Sequence, residues 1–192
     1  MLAMRKPAAR TRRGILDAAY ELFHRKGFGR VSIDDIAALA KITKRTLYNH
    51  FKSKDDLLVA VLDHQHELAA ARIRKHESRY SGSAEEILTT LFSELAIWSK
   101  RPGWTGAGFT RLVMELADLP GHPARAVARR HKAAVEAWHA ELLKKARVAM
   151  PAERAREVAL LTEGAMSLIL IHGDRGYADA AARAAKRLMR KD

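Results

Sequence analysis

Lys44, Arg45, Tyr48 and Asn49 lie within six residues of one another, and each can hydrogen-bond to a polyanion or to the edge of a base. In a helix, Lys44, Arg45 and Tyr48 fall at i, i+1 and i+4 and share one face. Leu47 and Phe51, four apart, take the opposite face. A helix that is basic and polar on one side and apolar on the other has the chemistry to touch DNA. Basic charge alone suits an ordinary solvated helix equally well, so the case rests on the elements that hold these side chains.

Upstream, Ile33, Ile36, Ala37 and Ala40 recur at i, i+3, i+4 and i+7, the apolar stripe of a helix. Ser32 and Asp35 form a weaker version of the capping box, which prefers Glu or Gln at its second position. The pattern breaks at Lys41-Ile42. Thr43 then fits the N-cap of a second, short helix. Ile42 and Leu47 stand at the two positions of a hydrophobic staple, which fixes the angle of entry. Ser53 and Asp56 open a third helix, whose stripe is Leu58, Val61, Leu62, Gln65, Leu68 and Ala69. Two helices joined by a tight turn, the second exposed and basic, make a helix-turn-helix. The second helix of that arrangement enters the major groove. Helix starts at Thr43 and Ser53 also favour a phosphate.

Residues 12–62 resemble the DNA-binding domain of the tetracycline-repressor (TetR) family of transcription regulators. The likeness runs through ILDAAYELFHRKGFGRVSIDDIA and TKRTLYNHFKSKDDLL, with Leu47-Tyr48, His50-Phe51 and Lys52-Ser53-Lys54 at the family's Leu-Tyr, aromatic and Lys-x-Lys positions. Two residues depart from the pattern. Lys41 stands in the turn where the family usually has Gly, and a non-Gly residue holds a left-handed conformation only at a cost. The shape of the turn is therefore in question. Arg45 stands where a small residue or proline is frequent, adding a long donor where bases would be met.

The resemblance implies an all-α fold: an N-terminal three-helix helix-turn-helix domain followed by an α-helical ligand-binding and dimerisation domain. It implies a double-stranded DNA operator as partner, with repression as the favoured sign. The DNA-binding set is then Ser32, Thr43, Lys44, Arg45, Thr46, Tyr48, Asn49, His50 and Lys54. It also implies a small-molecule effector held in the second domain and a homodimer made through the last two helices, about 151–190. An apolar or aromatic effector would suit candidate lining residues Trp98, Trp104, Phe109, Met114, Trp138 and Met166, although residues of these types are more often plain core than pocket.

Composition bounds the rest. The formal net charge of +13 on 192 residues points to a polyanionic partner. Basic residues also fill distant helices, Arg125, Arg129, Arg130, Lys132, Lys144, Lys145 and Arg187–Lys191 among them, so charge alone locates no site. The absence of Cys excludes disulfides and thiolate metal sites and is compatible with a reducing cytoplasm. Basic residues at the start have no apolar stretch behind them, and no run approaches the length of a membrane span. A cytoplasmic location is expected.

The expected division is a basic flexible arm over 1–11, the DNA-binding domain over 12–52 with its helix-turn-helix at about 33–51, a connecting fourth helix over 53–80, and the helical effector and dimer domain over 81–192. Helical periodicity of the first domain begins near Gly14. Breaks at Ser81-Gly82, Pro102-Gly103, Pro120-Gly121, Met150-Pro151 and Gly173 to Gly176 punctuate the second half, with a capping box at Ser83 and Glu86 and Pro123 and Pro151 in first turns. The segment holding Phe109, Leu112, Val113 and Leu116 reads as a helix that stops at Leu119-Pro120-Gly121. The stretch GAMSLILIHG is apolar nearly all round, which implies burial on more than one side. Ala178, Ala181, Ala182 and Ala185 give the last helix a face that another helix can approach closely. Together these suggest a four-helix dimer contact.

Catalysis and a resident cofactor are not expected. His64 and His66 point to different faces, and His131, Glu136 and His139 sit on a helix that reads as solvated and complete no metal set. No phosphate loop, nucleophile elbow or zincin motif is present. The alternative is a helical protein that binds nucleic acid without sequence preference, on the strength of its charge.

Overall fold

The computed structural model describes residues 6–189, and among these every regular element is helical. In chain order they are α1 (Lys6–Lys26), α2 (Ile33–Leu39), α3 (Lys44–Tyr48), α4 (Lys54–His76), a 3-10 turn (Glu77–Arg79), α5 (Ala84–Trp98), α6 (Gly108–Met114), α7 (Pro123–Lys145), α8 (Pro151–His172) and α9 (Gly176–Leu188). The chain forms two compact units. The first takes residues up to Ala69 together with Gly108–Ala128, and the second takes Ala70–Ala107 and the residues from Arg129 onward.

Helix α1 begins at Lys6 and not near Gly14, which corrects the expected arm at 1–11: residues 6–11 are helical, and Met1–Arg5 fall outside the described residues. Pro7 explains the early start, because a ring with no N–H is well placed in a first turn and the fixed φ suits a helix. The Thr11 hydroxyl donates back to the Pro7 carbonyl at 3.0 Å.

The caps form as their residue types dictate. The Ser32 hydroxyl accepts from the Asp35 N–H at 3.0 Å while the Asp35 carboxylate accepts from the Ser32 N–H at 2.9 Å, a complete capping box despite the shorter acid. Ser53 accepts from the Asp56 N–H at 3.0 Å, and Asp56 reaches one residue further back, accepting from the Lys52 N–H at 2.9 Å. Helix α4 then runs without interruption to His76.

The first unit closes around Ile15, Ala19, Leu22, Phe23, Ile36, Leu47, Leu57, Leu58 and Val61, all buried. Leu112 and Leu116 complete this core, although they lie in the stretch 81–192 expected to form the effector domain. Helix α6 ends at Met114, short of the expected stop, and the chain continues to His122 as successive turns closed by i+3 bonds such as Leu119 N–H to Leu116 O at 3.0 Å.

In the second unit, α9 lays Ala178, Ala181 and Ala185 into a core shared with Leu88, Phe92 and Leu95 of α5 and Ala155, Val158, Ala165, Met166 and Ile169 of α8. The alanine face that could admit a helix is thus occupied by helices of the same chain. The apolar end of α8 is buried on one side only within the chain: Ala165, Met166 and Ile169 face the core, whereas Leu168, Leu170 and Ile171 are exposed, Ile171 at 71%. No helix among the described residues is long and apolar enough to cross a membrane.

Candidate nucleic-acid interface

Helix α3 is five residues long, and its placement depends on its two ends. The Thr43 hydroxyl accepts from the Thr46 N–H at 3.1 Å and is hydrogen-bonded to the Thr46 hydroxyl at 2.9 Å. Leu47 is fully buried, and Ile42 packs half-buried on the same core, as a staple requires. Phe51 is buried one turn later. With those side chains fixed inward, Lys44, Arg45, Tyr48 and Asn49 are exposed, while Thr46 and His50 are half-buried. Tyr48 leaves 46% of its surface exposed on this short helix.

The turn before α3 keeps the left-handed geometry in spite of its side chain. Lys41 has φ +55°. Its N–H donates to the Ala38 carbonyl at 3.1 Å, and the Ile42 N–H donates to the Ala37 carbonyl at 3.0 Å. That pair of bonds is the Schellman ending of a helix, in which the residue after the C-cap is normally Gly. The same ending recurs where α7 stops, with Arg147 at φ +59°.

The predicted DNA-binding residues differ in how free their polar groups are. The Lys44 ammonium donates to the Asp34 carboxylate at 3.0 Å, an exposed pair that contributes little stability and can open readily. The Ser32 hydroxyl is taken up by Asp35, whose carboxyl it holds below the usual carboxylate range. Lys54 stands over the Phe28 ring, 4.3 Å from its centroid, where partial burial lowers its pKa against the opposing pull of Asp55 and Glu115. It therefore braces the α1–α2 turn. In the sequence Arg12 belongs to a terminal run of charges, but its guanidinium lies 5.0 Å over the Phe51 ring. That contact fixes a cation of α1 beside the end of α3. No local pattern announces a pairing across such a sequence separation.

The six candidate effector residues are divided between the units. Trp98 and Trp104 meet edge to face at 5.7 Å on the core that includes Met166. Trp138 stands edge to face with Tyr80 at 4.9 Å and beside His139 at 5.1 Å. Phe109 packs on the first unit's core, and Met114 is 70% exposed. Trp104 Nε1, Trp138 Nε1 and His139 Nδ1 are buried with no hydrogen-bond partner among the described residues. His139 is not on a solvated face, as expected from sequence: it is buried, and burial pulls its pKa down to about 4, so the imidazole is neutral. No group of side chains suited to a metal ion occurs among the described residues.

Residues 15–61 match the family described as bacterial regulatory proteins, tetR family. TtgR, an HTH-type transcriptional regulator of Pseudomonas putida, is 35% identical over 97 residues, 48% of this chain and 46% of TtgR. The HTH-type transcriptional repressor NicS of Pseudomonas putida is 44% identical over 57 residues, 30% of this chain and 27% of NicS. The chain thus spans less than half the length of these relatives. Among solved structures, the TetR-family regulator SCO4454 of Streptomyces coelicolor aligns with a TM-score of 0.82 at 25% identity over 94% of this chain and 95% of that one. Reduced Escherichia coli NemR shares the fold with a TM-score of 0.82 at 19% identity, over 94% of this chain and 98% of that one. A capped and stapled α3 lies inside the matched segment, in an all-helical chain that follows these folds along nearly its whole length, so residues 15–61 belong to the tetR family of bacterial regulatory proteins.

Proposed function

We propose that this chain is a sequence-specific DNA-binding transcriptional regulator that reads a palindromic operator as a homodimer and is released by a small-molecule effector. The observation that carries the reading is α3: Leu47 is buried and Thr43 capped, so Arg45, Tyr48 and Asn49 stand exposed where a recognition helix meets base edges and phosphates. Arg45 is the candidate base reader. Tyr48, Lys44 once released from Asp34, and Arg12 are candidate phosphate contacts. Likeness over 57 residues to a repressor favours repression.

The exposed Leu160, Leu168, Leu170 and Ile171 on α8 support the dimer, because a chain that leaves these apolar side chains in water gains by pairing them. Two recognition helices about one duplex turn apart then match two half-sites. The unpaired polar atoms of Trp104, Trp138 and His139 support an effector with polar groups on an aromatic or apolar frame, since each buried unmade hydrogen bond costs about 1–3 kcal/mol. A ligand that binds better to the conformation with misplaced recognition helices must weaken DNA binding by the same factor.

Selection of bound duplexes from random DNA tests the reading. The expected result is a palindrome bound about a thousandfold or more tighter than random sequence. Recovery of no preferred sequence, with steep salt dependence on every duplex, would instead assign the chain to non-specific nucleic-acid binding.

A further inference from the structure

We propose that Asp34 is a specificity-determining residue for operator binding: it keeps the Lys44 ammonium from phosphate on duplexes of indifferent sequence and yields it only when α3 is seated on the right one. The inference rests on the DNA-binding reading above and goes beyond it by assigning a role to an anion beside α3.

Helix α2 opens with two adjacent carboxylates, and they are used differently. Asp35 closes the capping box with Ser32. Asp34 takes no part in that box; its carboxylate accepts from Lys44 Nζ at 3.0 Å, ten residues along the chain. The two acids in the first turn of α4 are engaged elsewhere. Asp56 accepts from the Lys52 N–H at 2.9 Å, and Asp55 lies 3.7 Å from His122 Nε2. Of these four carboxylates, Asp34 is the one that meets the polar face of α3.

Neutralisation on that face is selective. Lys44 is paired, whereas Arg45 is in no ion pair among the described residues. A lysine is a compact point charge that suits any phosphate, while a planar guanidinium can bond two atoms of a base edge at once. The cation that would add affinity for every duplex is therefore masked, and the one that can read a base is left free. Lys44 is also the first residue of α3, where the helix dipole disfavours a cation. A pair that served only to offset that local cost would affect both kinds of duplex alike.

The pair is exposed on both sides, so it is weak and opens readily. Opening it beside DNA exchanges one anion for another and leaves the Asp34 carboxylate unpaired in the negative potential of the duplex. The exchange is favourable only where a phosphate stands within reach and the remaining contacts hold α3 in place. A loose complex on random sequence meets neither condition. Asp34 is then a repulsive element, and discrimination gains from what it withholds at wrong sites.

Salt dependence reports the phosphates engaged, since each one neutralised contributes about 0.9 to the slope of log K against log salt. Binding of the full chain is titrated against salt on the duplex recovered by selection and on a scrambled duplex of the same length. Lys44→Ala should lower the slope on the selected duplex by about 0.9 for each chain bound and leave the slope on the scrambled one unchanged. Asp34→Asn should do the reverse: the slope on scrambled DNA rises by about 0.9 per chain, and binding there tightens about fivefold per chain near 0.1 M salt, with the slope on the selected duplex unchanged. Asp34→Glu, which keeps the charge, should match the wild type on both. In a chain that already carries Lys44→Ala, Asp34→Asn should move neither slope. Asp34→Ser carries the comparison if the asparagine variant fails to fold.

An equal change of slope on both duplexes in Asp34→Asn, no change on the scrambled one, or the same change in the absence of Lys44 would overturn the proposal while leaving sequence-specific binding in place. A wild type that selects no duplex would remove the DNA-binding reading itself, and this role with it.

Discussion

Replacing Lys41 with glycine should stabilise the first unit. Lys41 holds φ +55° to close the Schellman ending of α2, and an L-residue in that region pays about 1–2 kcal/mol in contact between Cβ and backbone. Glycine removes the contact but gives back about 0.5–1 kcal/mol through its greater freedom in the unfolded chain. The net gain is about 1 kcal/mol, seen as a rise of roughly 2–4 °C in Tm for a chain of this size. The side chain is exposed, so no packing is lost. Urea denaturation followed by far-UV circular dichroism should show a higher midpoint at unchanged slope. Lys41→Ala is the control: it removes the same charge, keeps Cβ and should gain nothing. If both variants moved the midpoint equally, the effect would be electrostatic. If glycine lowered it, the strain argument would be wrong, and with it the view that this turn keeps its shape against its sequence.

Arg45→Ala should relax preference at one base position of the selected site, costing about 1–3 kcal/mol there, measured by repeating the selection; an unchanged preferred site would remove Arg45 as a base reader. His139 is held neutral by burial, its pKa lowered from 6.5 to about 4. The unfolded chain takes up that proton as pH falls through about 6.5 while the folded chain resists until about 4, so stability is full above this window and lost on acidification across it. The contribution is up to about 3 kcal/mol, and His139→Gln should flatten the acid limb of stability against pH; an identical limb would show that the folded imidazole charges freely. Ile171→Glu should leave the isolated chain folded, since Ile171 is 71% exposed. It should weaken self-association on the order of a hundredfold by placing a carboxylate in an apolar contact, and sedimentation of an unaltered dimer would move the interface off this end of α8.

Local chemistry is readable in this sequence and distant pairing is not. Ser32, Thr43, Ser53 and Ser83 announce the starts of α2, α3, α4 and α5 because a cap acts on an N–H three residues away. Pro123 and Pro151 mark α7 and α8 for an equally local reason. The inward turn of Leu47 and Phe51 follows from helical spacing alone. Pro7 carries the same kind of signal for α1, but a run of charges that reads as an arm masks it. Contacts such as Arg111 with His24 and Glu115 with Gly29 join residues 87 and 86 apart in sequence, and no pattern within either segment specifies the other. For the same reason the sequence groups α6 with the effector helices, and His139 reads as solvated although its α7 face, with Leu142 and Leu143, is buried. The alanines of α9 do suit a close helical neighbour; composition alone cannot tell that α5 and α8 already fill that place.

All three indole rings, Trp98, Trp104 and Trp138, belong to the second unit, while α3 carries Tyr48 as its only ring. Emission excited selectively from indole is therefore blind at the helix that would lie against a duplex and sensitive in the half that would hold an effector. Should addition of operator change that emission, the signal would come from a region the nucleic acid does not touch, and the protein would be reporting its own long-range communication without any attached dye.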